Sequence, residues 1–219
     1  TVGIACGAVN GFFVSVCGIP QFISTLGMMT LLRGVILVYT KGSPIPIKVD
    51  SYKFFGKGSI AGIPVPVIIL IVVFLLAHYI LTQTSYGRSV YAVGGNREAA
   101  RLSGIRVKTS EFLVYTLNGL MCGMAGLILT ARLGSAQSTS GTGIEMDAIA
   151  AVILGGTSLS GGVGFVLPTV VGAMIMGIID NILTLMNVNP HATNIVKGAV
   201  ILIAVLVDKK VKDLSAKAE

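Results

Sequence analysis

Four long stretches without any charged side chain limit most strongly what this 219-residue chain can fold into. They lie at residues 1–32, 58–87, 112–131 and 148–179. An apolar helix of about 20 residues crosses the hydrocarbon core of a bilayer. Only 11% of the residues are charged, whereas a soluble domain has about a quarter. The sequence therefore predicts an all-α, polytopic integral membrane protein.

Apolar spans between polar segments predict about six to seven membrane helices. The predicted spans are residues 1–16, 22–40, 65–81, 112–131, 144–159, 165–186 and 192–207. Together they form one transmembrane domain over residues 1–207, followed by a charged cytoplasmic tail at 208–219. The opening apolar run has no basic segment before it and is therefore not predicted to be a signal peptide. Because residue 1 is Thr rather than Met and the chain opens inside this run, we expect that it lacks its natural N-terminus.

Basic residues predict which loops face the cytoplasm. They are concentrated in the segment 82–111 and in the tail, so both are predicted to be cytoplasmic by the positive-inside rule. Two segments on the same side of the membrane are separated by an even number of crossings. Only three long spans lie between them, so the short segment 144–159 must supply a fourth crossing. The connection 41–66 is then external and solvated, although its four lysines fit the rule badly. The net charge of +7 comes mostly from the lysines and arginines of these loops and of the tail. The sequence contains no basic stripe with interleaved aromatic residues, so it does not indicate a nucleic-acid partner.

The segment 94–105 has the composition of a short helix between two sharp turns. Asn96 is a good N-cap, Glu98 suits the positive end of a helix, and Gly104 provides a C-terminal stop. A diglycine precedes the helix and permits a turn there. Such a helix would present outward Arg97, Arg101 and Leu102. The alternative is an ordinary loop helix with charges matched to its dipole.

This segment resembles the EAA loop in permease subunits of ATP-binding-cassette importers. Glu98-Ala99-Ala100 is followed after three residues by Gly104, as in that loop. The resemblance implies a coupling loop at 83–110 whose short helix docks on a cytoplasmic ATPase subunit. The docking residues it implies are Gly95, Asn96, Arg97, Glu98, Ala99, Ala100, Arg101, Leu102 and Gly104.

Three wider segments are similar to the ribose/xylose/galactose-type permeases: Val93–Val107, Leu154–Gly162 and Val196–Lys210. The resemblance implies importer-permease architecture, a permease homodimer and a periplasmic or extracellular sugar-binding protein. It also implies that ATP and Mg²⁺ bind to the partner ATPase, while this chain binds no cofactor and is not an enzyme.

The glycine-rich segment 155–164 could be mistaken for a phosphate-binding loop. A P-loop requires Gly-Lys-Ser/Thr, which occurs nowhere in the chain. The segment is instead predicted to be a cytoplasmic turn, which either contacts the ATPase beside the Glu98 helix or simply permits a tight bend. By the resemblance it lies near the subunit interface and gate, with the gate or turn residues Gly155, Gly156, Gly161 and Gly162.

Polar residues inside apolar spans are candidates for a substrate path, because they are costly in lipid. These candidates are Asn10, Asn118, Asp180 and Asn181. The alternative is interhelical hydrogen bonding, and for Lys197 a paired or snorkelling charge. No convergent set of side chains indicates a catalytic or metal site.

The resulting prediction is a multi-pass subunit of an ATP-driven monosaccharide importer in the cytoplasmic (inner) membrane. One alternative is an ion-coupled secondary carrier, which would usually show a titratable cluster at mid-membrane. An integral-membrane enzyme is the second alternative, but it requires a convergent catalytic or metal-ligand set.

Overall fold

The computed structural model describes the backbone of residues 1–215, with the side chains of residues 1–189 and 192–206. Its two compact units are Thr1–Ser140 and a second that begins at Gly141. The helices of the first unit are α1 (Val2–Ser15), α2 (Gln21–Thr40), α3 (Asp50–Lys57), α4 (Val65–Gln83), α5 (Ser85–Gly95), α6 (Arg97–Leu102) and α7 (Val107–Leu133). Its short strands are β1 (Ile45–Pro46), β2 (Ser59–Ile60), β3 (Ile63–Pro64) and β4 (Ser135–Ala136). The helices of the second unit are α8 (Ile144–Leu154), α9 (Val166–Leu185) and α10 (Pro190–Ser215).

Helix length and composition confirm the all-α membrane class. Within the described residues, four helices are long and apolar enough to cross a membrane: α2, α4, α7 and α9. Helix α1 and the segment Ala192–Leu206 of α10 are shorter apolar helices. Helix α8 has 11 residues and is therefore only about 16 Å long, about half the thickness of the hydrocarbon core.

Helices α1 and α7 pack backbone against backbone. The sequence predicts a bare face on α1 because glycines recur every four residues, and the structure confirms it. A Cβ added at Gly7 would lie 2.9 Å from the Cα of Gly119, and one at Gly3 would lie 3.0 Å from the Cα of Gly123. Small residues permit this close approach of helices in lipid.

Helix α3 lies within the connection 41–66, which was predicted to be solvated, and it packs against α7. The hydroxyl groups of Tyr52 and Thr130 are 2.7 Å apart, and a Cβ added at Gly56 would lie 2.8 Å from the Cα of Arg132. Nearby, β1 pairs antiparallel with β4, and β2 pairs with β3. Helix α3 therefore lies against the C-terminal end of α7, which has 27 residues and is about 40 Å long.

The second unit has a small core between α8, α9 and α10. Ala150, Ala151 and Met176 are buried there. A Cβ added at Gly155 would lie 2.6 Å from the Cα of Thr169, so α8 and α9 also approach closely.

Three predicted boundaries differ from the structure by five residues or more. Helix α7 begins at Val107 rather than at 112, and α8 ends at Leu154 rather than at 159. Helix α10 passes the predicted end of the last span at 207 and continues to Ser215. Residues 208–215 of the predicted tail are thus helical, and 216–219 lie outside the described residues.

Candidate coupling site

Helix α6 is capped at both ends by its own sequence. The side-chain Oδ1 of Asn96 accepts a hydrogen bond from the Ala99 N–H at 2.9 Å. At the other end, Gly104 has φ +84°. The N–H of Gly104 donates to the carbonyl of Arg101, and the N–H of Ile105 donates to the carbonyl of Ala100, each at 3.0 Å. These two bonds form a Schellman motif, so the predicted cap and stop are confirmed.

The turn before α6 differs from the prediction. Gly94 and Gly95 belong to the last turn of α5, and the direction changes at Asn96, which has φ −154° and ψ 107°. An extended backbone at the N-cap is the usual geometry of a helix start. The diglycine therefore extends a helix that the sequence did not predict.

The side chains of α6 divide into an inner and an outer set. Ala100 is buried, whereas Leu102 is 81% exposed. Arg101 and Glu98 form an exposed ion pair of 2.9 Å within the helix. The prediction that Arg97 faces outward is only half right, because its Nη2 lies 2.9 Å from Oε2 of Glu111 on α7.

A cleft of about 330 Å³ lies beside α6. It is lined by Arg97, Glu98, Arg101, Val107 and Lys108. Two of its three cations are already paired, Arg97 with Glu111 and Arg101 with Glu98. The small positive charge that remains favours an acidic group from another molecule.

Replacing Asn96 by alanine is expected to loosen α6 without unfolding the unit. The substitution removes an N-cap bond, which contributes about 1 kcal/mol. Hydrogen exchange at the amides of Ala99 and Ala100 should accelerate about fivefold. Asn96→Asp is the control, because aspartate also caps and suits the helix dipole. Equal exchange in Asn96→Ala and the parent protein would contradict the prediction.

Helix α5 lies beside an apolar cavity of about 620 Å³ in the first unit. Aliphatic side chains of α4, α5 and α7 line it, and the polar candidate Asn118 is also in its wall. The hydroxyl of Tyr86 is buried there without a hydrogen-bond partner in the described structure, and burial raises the pKa of Tyr86. Such a wall offers few partners to a hydroxylated solute, so Asn118 gains no support as a substrate contact.

The other polar candidates have different surroundings. Oδ1 of Asn10 accepts a hydrogen bond of 3.3 Å from Ser24 of α2, which is the interhelical alternative. Asn181 is exposed. None of these positions is tested as a substrate contact, and that role remains a prediction.

Asp180 belongs to an ion triad that joins α8, α9 and α10. Nζ of Lys197 lies 2.8 Å from Oδ2 of Asp147 and 2.9 Å from Oδ1 of Asp180. The three side chains are 18%, 22% and 37% exposed for Lys197, Asp147 and Asp180. Lys197 is therefore a paired charge, which was one of the two predicted alternatives.

The glycine-rich segment after α8 is a compact turn. Gly156, Gly161 and Gly162 have φ of +74°, +87° and +77°, a region that favours glycine. The N–H of Ser158 donates to the carbonyl of Val163 at 2.9 Å and closes the turn. Gly155 instead packs against α9. A turn is thus observed, while its role as a gate remains a prediction.

Sequence reasoning missed two acidic partners, Glu111 and Asp147. A cation inside an apolar span needs a counter-charge, so Lys197 was a signal that a carboxylate lies nearby. Glu111 required knowledge that α7 begins at Val107, which places this residue inside the helix beside α6.

The geometry defines a multi-pass helical membrane protein with an exposed, doubly capped helix outside its long spans. Residues 1–205 match the family described as branched-chain amino acid transport system / permease component. The chain belongs to this family of permease components and is a multi-pass inner-membrane protein.

Curated relatives agree with this assignment. The chain is 51% identical over 213 residues to the ribose import permease protein RbsC of Escherichia coli strain K12, covering 95% of this chain and 66% of the relative. It is 48% identical to RbsC of Bacillus subtilis strain 168, covering 92% and 63%. It is 40% identical to the D-allose transport system permease protein AlsC of E. coli K12, covering 95% and 64%. The chain thus spans less than two thirds of these relatives, and no solved structure matches it.

Proposed function

We propose that this chain is the transmembrane subunit of an ATP-driven importer for a monosaccharide. A separate ATPase docks on α6, and a sugar-binding protein delivers the solute at the opposite membrane face. ATP hydrolysis takes place in the partner chain, which holds ATP and Mg²⁺. The permease acts as a homodimer, and its own residues form the path and transmit movement.

The observation that supports this proposal is the construction of α6. Its caps hold a short helix rigidly, its inner residue Ala100 is buried, and Leu102 is exposed almost completely. Leu102 lies outside the long apolar helices, so its exposed side chain is available for contact with another protein. The cationic cleft next to it adds an electrostatic component to the same surface.

The opposite ends of α7 support the proposed arrangement of partners. Helix α6 contacts the N-terminal end of α7 at Glu111, and α3 contacts the C-terminal end of α7 at Arg132. A helix of about 40 Å separates the two ends. The predicted cytoplasmic loop and the predicted external connection therefore lie at opposite ends of this helix, which supports the proposal that the two partners bind at opposite membrane faces.

The substrate class follows from the relatives. Their names assign ribose to two of them and D-allose to the third. We therefore propose a neutral monosaccharide, with D-ribose as the first probe.

Glu98→Lys combined with Gly104→Pro is expected to abolish docking of the ATPase. The first change reverses a charge on the exposed face, and proline cannot adopt the φ of +84° at Gly104. The full-length permease is purified with its ATPase, and co-purification and ATP-dependent uptake of radiolabelled D-ribose are measured in proteoliposomes containing the binding protein. Both should fall at least about tenfold.

The matched control is Asp50→Lys combined with Gly62→Pro. It makes the same kinds of change at an exposed acid and at a glycine with φ +83°, but at the opposite end of α7. It should leave docking of the ATPase unchanged. Full docking and uptake in the Glu98/Gly104 variant would reject the assignment of α6. Uptake that continues without ATP and stops when the ion gradient is dissipated would favour a secondary carrier.

A further inference from the structure

The contact between Arg97 and Glu111 differs in kind from the other ion pair of α6. Glu98 and Arg101 are both about 70% exposed, and their pair lies within one helix. The Glu111 side chain is only 10% exposed and belongs to α7, while Arg97 is 55% exposed. The Arg97–Glu111 pair therefore connects the exposed short helix to a long membrane span.

Burial makes this connection stiff. A carboxylate in a poorly solvated position interacts more strongly with its counter-charge than one in water, and loss of the partner leaves an uncompensated charge. The pair is also a charge-assisted hydrogen bond with an Nη2–Oε2 distance of 2.9 Å. Displacement of α6 at its first residue therefore acts directly on the first turns of α7.

The first turns of α7 are themselves well packed. Val107 and Ser110 are buried beside Glu111. At the very next residue, the backbone of Phe112 contacts α1, because a Cβ added at Gly11 would lie 3.0 Å from the Phe112 carbonyl oxygen. The glycine contacts between α1 and α7 continue from there along the span. Movement at Glu111 thus affects a rigid pair of helices rather than a loose loop.

We propose that the Arg97–Glu111 pair transmits movement of α6 to α7 and that it is a positioning pair rather than a docking contact. The proposal depends on the proposed function, in which α6 receives the movement of the ATPase. Arg97 holds α6 at a fixed distance from the membrane span. Outer side chains such as Leu102 make the contact with the ATPase. Breaking the pair therefore uncouples ATP hydrolysis from transport and leaves the complex assembled.

Arg97→Gln and Glu111→Gln are tested in the full-length permease with its ATPase and binding protein in proteoliposomes. The measurements are co-purification of the ATPase, the rate of ATP hydrolysis and the D-ribose taken up per ATP. Glu111 lies outside the cleft beside α6, so in Glu111→Gln assembly and hydrolysis should stay within about twofold of the parent. Uptake per ATP should fall about tenfold in both variants, which corresponds to about 1.4 kcal/mol.

Three further variants exclude a simple loss of folding. The exchange Arg97→Glu with Glu111→Arg should restore uptake per ATP to at least about half of the parent value, because it rebuilds the pair with opposite polarity. Arg97→Lys keeps the charge and should retain assembly. Arg88→Gln is the control for loss of a cation, because Arg88 is exposed and donates to Ser85 within α5.

The outcomes separate this inference from the proposed function. Leu102→Glu should prevent co-purification, and a Leu102→Glu protein that still binds the ATPase would reject α6 as the docking helix. If Leu102→Glu prevents binding but Arg97→Gln and Glu111→Gln transport normally per ATP, only the transmission proposal is wrong. It is also wrong if Glu111→Gln loses ATPase binding in proportion to uptake, or if the exchanged pair does not recover.

Discussion

Alanine at Gly119 is expected to destabilise the first unit by about 2 kcal/mol, whereas alanine at Gly126 on the same helix should stabilise it. A Cβ at Gly119 would contact the carbonyl oxygen of Gly3 and lie 2.7 Å from the Cα of Gly7. Both neighbours are backbone atoms and cannot rotate away. The two helices must therefore separate, which removes contacts along the whole α1–α7 interface.

Gly126 provides the matched control for this prediction. A Cβ added there meets nothing within 4 Å, and alanine in a helix is favoured over glycine by about 0.5–1 kcal/mol. At Gly123 the added Cβ would lie 3.5 Å from the Cα of Gly3, an ordinary contact, so alanine should be tolerated. The measurement is the midpoint of thermal unfolding of the three purified variants in detergent. Equal shifts at Gly119 and Gly126 would contradict the packing of α1 on α7.

Methionine at Lys197 is expected to cost the second unit about 3 kcal/mol. Lys197 is the shared partner of Asp147 and Asp180, so its removal leaves two carboxylates facing each other between three helices. Oδ1 of Asp147 is buried and has no hydrogen-bond partner in the described structure, which increases the penalty. Thermal unfolding in detergent measures the effect, and Lys197→Arg should retain most of the stability because it keeps the charge.

Charge balance gives this prediction a specific order of effects. Asp180→Asn leaves the Lys197–Asp147 pair with balanced charges and should cost less than Lys197→Met. Combining Lys197→Met with Asp147→Asn and Asp180→Asn should recover much of the loss, because no uncompensated charge remains. A triple variant as unstable as Lys197→Met would show that packing of the lysine stem, rather than charge, holds the three helices together.

Local features of the coupling site were predictable because they depend on neighbouring residues. The Asn96 cap contacts an amide three residues away, and Gly104 ends α6 by its own backbone freedom. Helix α5 was missed because its sequence contains three glycines and alternates small, polar and aromatic residues. Its packing against α4 and α7 overrides a weak local preference.

Contacts between distant residues could not be predicted in the same way. Arg97 was predicted to face outward because nothing in the segment 94–105 indicates a counter-charge on α7. The predicted span began at 112 because it was defined by hydropathy. The charges of Lys108 and Glu111 excluded the segment 107–111, which forms the first turn of the helix. The buried position of Glu111 follows only when that turn is helical and packed.

The sequence alone determined the membrane class, the approximate position of the apolar spans and the short capped helix. These depend on hydropathy over about 20 residues or on hydrogen bonds within one turn. Only the tertiary structure decided that Arg97 bonds to Glu111, 14 residues away, and that Lys197 bonds to Asp147, 50 residues away. The physical reason is that an ion pair between two helices forms only where tertiary packing brings their side chains together, and the local sequence of neither helix fixes that packing.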